Sequence, residues 1–209
     1  MLEIQKKYQI GVRKFGLVNW IGFRTLYTKE VSRFLVGRAQ TLLSPLVSSL
    51  LFLSVLSLAL GNERGEVLGF SFISFLAPGL IAMSIIQQSF SHSVSSLMIA
   101  KIQGNIIDIL LPPLSNLELT IAIALGGVAR GMIVGLASVL VFSFIVDMKI
   151  VNIFNVLFFA FSGSLTLSLL GIIGGIWSEK FDHLAGLTNF LITPLTFLSG
   201  SFYSIEKLP

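Results

Sequence analysis

The 209-residue sequence contains no cysteine. That single absence removes disulfide frameworks, thiolate nucleophiles, Cys-ligated zinc and iron-sulfur clusters together. Charge is the next shortage: 14 Lys+Arg and 10 Asp+Glu make up 11% of the chain, where a soluble domain carries about 25%. Those side chains are too few to cover the surface of a soluble body of this length. No G-x-x-x-x-G-K-[ST] pattern occurs, so this chain does not bind ATP through a P-loop. Nothing resembles a cleavable signal peptide, because no short apolar stretch follows the N-terminal basic cluster and the first apolar run begins only at Ala39. What is abundant is apolar residue, 54% of the chain, and the class that fits is an integral membrane protein.

The scarce charges mark out the spans. Five long runs are free of Asp, Glu and Lys: Ala39 to Asn62, Val67 to Ala100, Leu119 to Val146 with Arg130 inside it, Ile150 to Ser178, and His183 to Ile205. A hydrocarbon core of about 30 Å needs about 20 helical residues, and each run reaches that length. The short alternating segments of a membrane barrel are absent. The pattern predicts an all-α polytopic membrane protein, a single transmembrane domain over residues 1–209. A cytoplasmic N-terminus of residues 1–38 precedes spans at about 39–61, 70–100, 122–146, 150–177 and 184–205.

Eight of the 14 basic residues lie in the first 38 positions: Lys6, Lys7, Arg13, Lys14, Arg24, Lys29, Arg33 and Arg38. An N-terminus inside the cell puts Lys101 and Lys180 inside as well, ten basic residues, against Arg64, Lys149 and Lys207 outside. That asymmetry predicts a cytoplasmic N-terminus and, after five crossings, an external C-terminus for this chain. It also accounts for the net charge of +4 without a nucleic-acid partner.

Two segments have enough polar content to work outside the bilayer. Between Asn19 and Arg38, the residues Trp20, Phe23, Tyr27, Val31 and Phe34 recur at helical spacing, with Arg24, Thr28, Lys29, Arg33 and Arg38 largely off that stripe. Such a helix lies in the membrane interface with its basic side toward anionic headgroups. It serves either as a plain anchor or as an element that also transmits force from a cytoplasmic partner. In the second segment, Lys101 to Leu110, a helix would place Ile102, Ile106, Ile109 and Leu110 on one face, and Pro112-Pro113 would stop it. Its two readings are a structured loop and a short helix that fills a groove on a soluble partner.

Chemistry inside the spans has few candidates. His92 has no second His, Asp or Glu in its own run with which to form a metal site or proton relay. Packing is its expected role, with substrate contact as the minority reading. Arg130 is placed near the cytoplasmic boundary, where it can snorkel outward and serve as an anchor or pair, with contact to a substrate's anionic head group as the minority reading. Gly127, Gly131 and Gly135, and Gly171 with Gly175, form rows that suit close helix approach, either within the chain or at a dimer seam. Ser84, Ser89, Ser91, Ser93, Ser95 and Ser96 crowd the second span, and Pro78-Gly79 is expected to bend or break it. No metal, cofactor or catalytic group is expected.

The order of several motifs resembles a known family. Phe75-Leu76-Ala77-Pro78-Gly79-Leu80-Ile81-Ala82-Met83-Ser84, then Ala100-Lys101-Ile102-Gln103-Gly104-Asn105-Ile106 and Pro113-Leu114-Ser115, are similar to ABC-2 type transporter permeases. So are Gly126-Gly127-Val128-Ala129-Arg130-Gly131, Lys180-Phe181-Asp182 and the stretch Leu191 to Ser204, the last closest to the YadH-like branch. The resemblance implies an inner-membrane ABC exporter permease subunit, not itself an enzyme, paired as a homodimer or heterodimer and driven by a separate ATP-binding cassette subunit. It implies that residues 16–36 are a connecting helix carrying Trp20, Phe23, Arg24, Tyr27 and Arg33. It further implies a coupling helix to the ATPase with Lys101, Ile102, Gln103, Asn105, Ile106, Asp108, Ile109 and Pro113. Pro78, Gly79, His92 and Arg130 are then pathway or packing positions. Gly104 stands where relatives carry a basic residue, and a sixth span would follow Leu208-Pro209, so the expectation is a permease truncated at its C-terminus. The alternatives are an intramembrane lipid-modifying enzyme, for which His92 would be essential, and a nonfunctional permease fragment.

Overall fold

The computed structural model describes residues 16, 18–64, 66–67, 69–148 and 150–198. Readings that rest on Lys6, Lys7, Arg13, Lys14, Lys149, Lys207 or the end of the fifth run beyond residue 198 fall outside those residues, as does the side chain of Arg64. Helix α1 (Trp20–Val36) leads into α2 (Arg38–Arg64). A two-residue antiparallel pair, β1 (Glu66–Val67) and β2 (Phe70–Ser71), turns the chain through Gly69 into α3 (Phe72–Ile102). Then come α4 (Ile106–Leu110), α5 (Asn116–Ser143), α6 (Ile153–Trp177), α7 (Phe181–Gly186), a π-helical turn (Leu187–Ile192) and α8 (Thr193–Leu198).

Four of these are long and apolar enough to cross a bilayer: Ala39–Ala59 within α2, and the whole of α3, α5 and α6. The described part of the fifth run is helical from Phe181 to Leu198, but in three pieces. Its π turn ends two residues before Pro194. Proline lacks an amide donor and crowds the preceding turn, which disrupts the regular i to i−4 pattern there.

Local signals set the helix starts. Ser115 and Glu118 form a reciprocal capping box that begins α5 at Asn116, six residues before the predicted edge of that span. The Asn152 side chain accepts from the amides of Phe154 and Asn155 and caps α6. Pro78 does not break α3: it lies in the second turn of a helix that runs 31 residues in all.

α3 is the central element, packed by α5 and α6 and, on a third side, by α2. One apolar cluster, with Leu53, Leu76, Leu80, Ile85 and Phe142, fills the end near the β pair. Another, with Leu26, Leu97, Ile109, Ala122 and Ile123, fills the end near α4. Between them lies a buried polar belt of Glu30, Ser89, His92, Ser93, Ser138 and Ser168. The glycine rows are internal seams: Gly127, Gly131 and Gly135 face α3 at Ile85, Ser89 and Ser93, and Gly171 and Gly175 face it at Phe90, Ser93, Val94 and Leu97. Serines join the helices as well, Ser93 to Ser168 at 2.6 Å across the α3–α6 seam and Ser84 to Ser49 at 2.8 Å between α3 and α2. The outer faces of α2 and α6 stay apolar and exposed, as at Leu51, Val55, Leu58, Phe154, Phe158 and Phe159, which suits contact with lipid.

Candidate functional site

Two places gather the unusual residues: the connection between α3 and α5, and the polar belt where α1 meets α3.

At the first, α3 ends at Ile102 and the chain turns through Gly104 at φ +75°. This left-handed conformation suits glycine and strains a longer side chain, which gives a physical reason for glycine at this position. The turn also breaks the predicted continuous helix, so α4 begins only at Ile106 and has five residues. Its orientation differs from the predicted face. Ile109 is buried and Ile106 half-buried against Leu26, Ala100 and Ala122, while Ile102, Ile107, Leu110 and Leu111 are exposed. Asp108, Gln103, Asn105 and Pro113 are exposed too, with Asn105 Nδ2 donating to Gln103 Oε1.

This short segment is tied down on both sides. Lys101 Nζ donates to the Ile176 carbonyl at 2.7 Å near the end of α6, so it serves within the chain as a cation at a helix C-terminus. Asn19, the N-cap of α1, accepts from the Gly22 amide, donates through Nδ2 to the Pro113 carbonyl at 3.1 Å and through its own amide to Glu118 Oε1 at 2.5 Å. The start of α1, the exit from α4 and the start of α5 are therefore one hydrogen-bonded joint. Trp20 is exposed and stacks edge-on against Phe23 at 6.0 Å. Arg24 is exposed and Tyr27 packs against the cluster around Leu26.

At the second place, the buried face of α1 is Leu26, Glu30 and Phe34, a row at i, i+4 and i+8 that includes the helix's one acid. Arg33 was expected among headgroups but turns inward. Glu30 and His92 are fully buried, with His92 Nε2 3.2 Å from Glu30 Oε2. Ser96 Oγ donates to the same oxygen at 2.8 Å, and Arg33 Nη2 lies 3.4 Å from it. Arg33 Nη2 also donates to the His92 carbonyl at 3.0 Å and stands 3.3 Å from His92 Nδ1. A consistent assignment gives neutral His92 its proton on Nε2, donating to Glu30 and leaving Nδ1 to accept from Arg33. Phe34 closes the site edge-on to the imidazole at 5.7 Å. Burial pushes the Glu30 carboxyl up, but the His92 bond, the Arg33 charge and the Ser96 bond outweigh it and leave it below the ordinary value. Burial lowers the Arg33 guanidinium against the pull of Glu30.

Gly126 makes this approach possible. A Cβ there would sit 2.7 Å from Glu30 Cβ and 3.2 Å from His92 Nε2. Gly126→Ala is expected to force α1 away from α5 and cost about 1–3 kcal/mol, read as a lower apparent Tm of the purified protein with its helical content retained.

Next to this group, Arg130 donates through Nη2 to Gln88 Oε1 at 2.7 Å. Pro78 and Gly79 lie far along α3 from His92 and Arg130 and take no part in the cluster. Glu30 and Gln88 were not singled out from the sequence, and Ser96 only as one of the serines crowding the second span. The signal for Glu30 was present, since it falls on the Leu26–Phe34 row of an otherwise basic helix. No group of three His, Asp or Glu able to hold a metal occurs among the described residues.

The arrangement is structural in chemistry. The Glu30 carboxylate accepts from both His92 and Ser96, so no histidine activates a serine.

A family model described as ABC-2 type transporter matches residues 22–209. The chain is also similar to the protein named inner membrane transport permease YadH of Escherichia coli strain K12, 32% identical over 190 residues, covering 91% of this chain and 74% of that protein. Proteins of the same name in Escherichia coli O157:H7 and Shigella flexneri match with the same identity and coverage. No solved structure matches significantly.

Proposed function

The chain belongs to the ABC-2 type transporter family and is a multi-pass inner-membrane transport component, and on that premise we propose that it is the permease subunit of an ATP-binding cassette exporter. It lines the translocation pathway, pairs with a second permease subunit and takes its energy from a separate ATPase chain. In this reading its α4 end faces the cytoplasm and the β pair faces outside, the orientation that the distribution of Lys and Arg favours. Residues 1–209 form one transmembrane domain, with α1 as the connecting helix and residues 101–113 as the coupling segment.

One observation carries this reading. The connection between two long spans is a five-residue helix that presents Ile107, Leu110 and Leu111 outward, although it lies at a water-facing end of the bundle. Three exposed aliphatic side chains on a rigidly braced knob suit an apolar groove on a soluble partner. Bracing through Asn19, Glu118 and Lys101 would let displacement of that knob move α1, α3, α5 and α6 together.

Co-expression with a cassette ATPase from the same genome tests the proposal. The two are expected to co-purify from detergent-solubilised membranes and to hydrolyse ATP as a complex. An ATPase that never associates, with both chains folded, would remove it. The lipid-modifying alternative gains nothing from a His92 that is sealed against Glu30.

A further inference from the structure

The charge around His92 does not balance. Glu30 supplies one negative charge, while Arg33, bonded to the His92 carbonyl, and Arg130, bonded to Gln88 one turn away on α3, supply two positive ones. Glu30 is already committed to Arg33, His92 and Ser96. Among the described residues Arg130 has only the neutral oxygen of Gln88. Its Nε is buried without a partner, and so is the Nε of Arg33. The Nη1 nitrogens of both arginines make no hydrogen bond among the described residues either, and they are not enclosed as the Nε atoms are. Two guanidinium groups therefore present open donors in one neighbourhood that carries a net positive charge. A partly desolvated cation without a counter-ion is costly.

Depth narrows the identity of that counter-ion. The Ser49–Ser84 bond sets the register of α2 against α3. Ser49 lies about 15 Å along α2 from Ala39, and Ser84 lies about 27 Å along α3 from Ile102, at 1.5 Å per residue. For roughly parallel axes, the apolar span of α2 begins about 12 Å in from the α4 end of α3, level with Val94. His92 is then about 3 Å, or half a turn, inside the hydrocarbon boundary, and Gln88 with Arg130 is within about 9 Å of it. An arginine at that depth can snorkel to the headgroup layer.

The geometry points to an anion site at this boundary, in which Arg130 and Arg33 hold a phosphate group next to the Glu30–His92 clamp. Planar guanidinium donors match phosphate oxygens in pairs. The phosphate can belong to an anionic lipid of the adjoining leaflet or reach the site as a free anion. The site does not depend on the transport reading, since it follows from charge and burial alone.

The test uses the purified protein in nanodiscs of phosphatidylcholine, of phosphatidylcholine doped with phosphatidylglycerol, and of phosphatidylcholine with inorganic phosphate added. Native mass spectrometry reads the lipid retained, and thermal unfolding reads stabilisation. Wild type is expected to keep phosphatidylglycerol in preference to phosphatidylcholine, about tenfold or more over Arg130→Gln. Arg130→Lys should be intermediate and the exposed Lys180→Gln unchanged. Stabilisation by inorganic phosphate that disappears in Arg130→Gln supports the same site with a free anion as its source. Equal retention of both lipids by wild type with no phosphate effect, or wild-type behaviour in Arg130→Gln, overturns the site. If Arg130→Gln does not fold, Arg130→Lys decides, and unchanged retention there overturns it.

Discussion

Replacing Glu30 with alanine is expected to be among the most destabilising single changes in α1, at about 3 kcal/mol. The substitution strips Ser96 and His92 of their shared acceptor and leaves Arg33 without its carboxylate at a largely buried position. Breaking a buried ion pair from one side costs about 3–5 kcal/mol, and the partial exposure of Arg33, 28% of its side chain, argues for the lower end. Glu30→Gln, which keeps the shape and one acceptor oxygen, should lose roughly half as much. Thermal unfolding in one detergent gives the order wild type, Glu30→Gln, Glu30→Ala. Adding Arg33→Gln to Glu30→Gln should cost less than the sum of the separate losses, because the second change removes an already orphaned charge. Additive losses would show that the two side chains do not act as a unit.

The second large effect belongs to the α4 segment. Ile107→Asp and Leu111→Asp each place a carboxylate on a side chain that the fold leaves exposed, at 58% and 75%, so neither should disturb the permease itself. Each is expected to weaken ATPase binding by about 2 kcal/mol, roughly thirtyfold, and the pair together to abolish ATP hydrolysis by the complex. Ile109 is 4% exposed within the cluster of Leu26, Ala100 and Ala122. An acid there unfolds the joint instead of testing the contact, so Ile109→Asp should lower Tm where the other two do not. Pull-down with the ATPase and Tm of the permease alone separate these outcomes.

Four of the five expected spans were legible because their signal is one-dimensional: about 20 uncharged residues are needed to cross a bilayer whatever they pack against. The face of α1 was legible only in part. Phe23, Tyr27 and Phe34 were on the expected stripe, yet Trp20 from the same stripe is exposed, and Glu30 is fully buried beside Phe34. Its partners Ser96 and His92 lie more than 60 positions away, a pairing that periodicity cannot report. His92 looked solitary for the same reason, since only its own span could be searched. A short helix does follow the second span, but after Gly104 at a positive φ it buries Ile109, half-buries Ile106 and exposes Ile107 and Leu111. A left-handed residue changes which side of the following helix faces inward, and composition gives no sign of that rotation. Arg130 was read as lying about one turn inside its span, whereas α5 begins at Asn116 and carries it near mid-helix, bonded to Gln88.

The absence of native cysteine makes site-specific cross-linking the most direct test of the central claim, that the α4 segment docks onto a separate ATPase. Ile107→Cys and Leu111→Cys, probed with a short thiol-to-amine linker in membranes containing both chains, are predicted to cross-link to the ATPase, while Phe154→Cys at the opposite end of α6 is not. Cross-linking from Phe154→Cys with none from Ile107→Cys or Leu111→Cys would contradict the account.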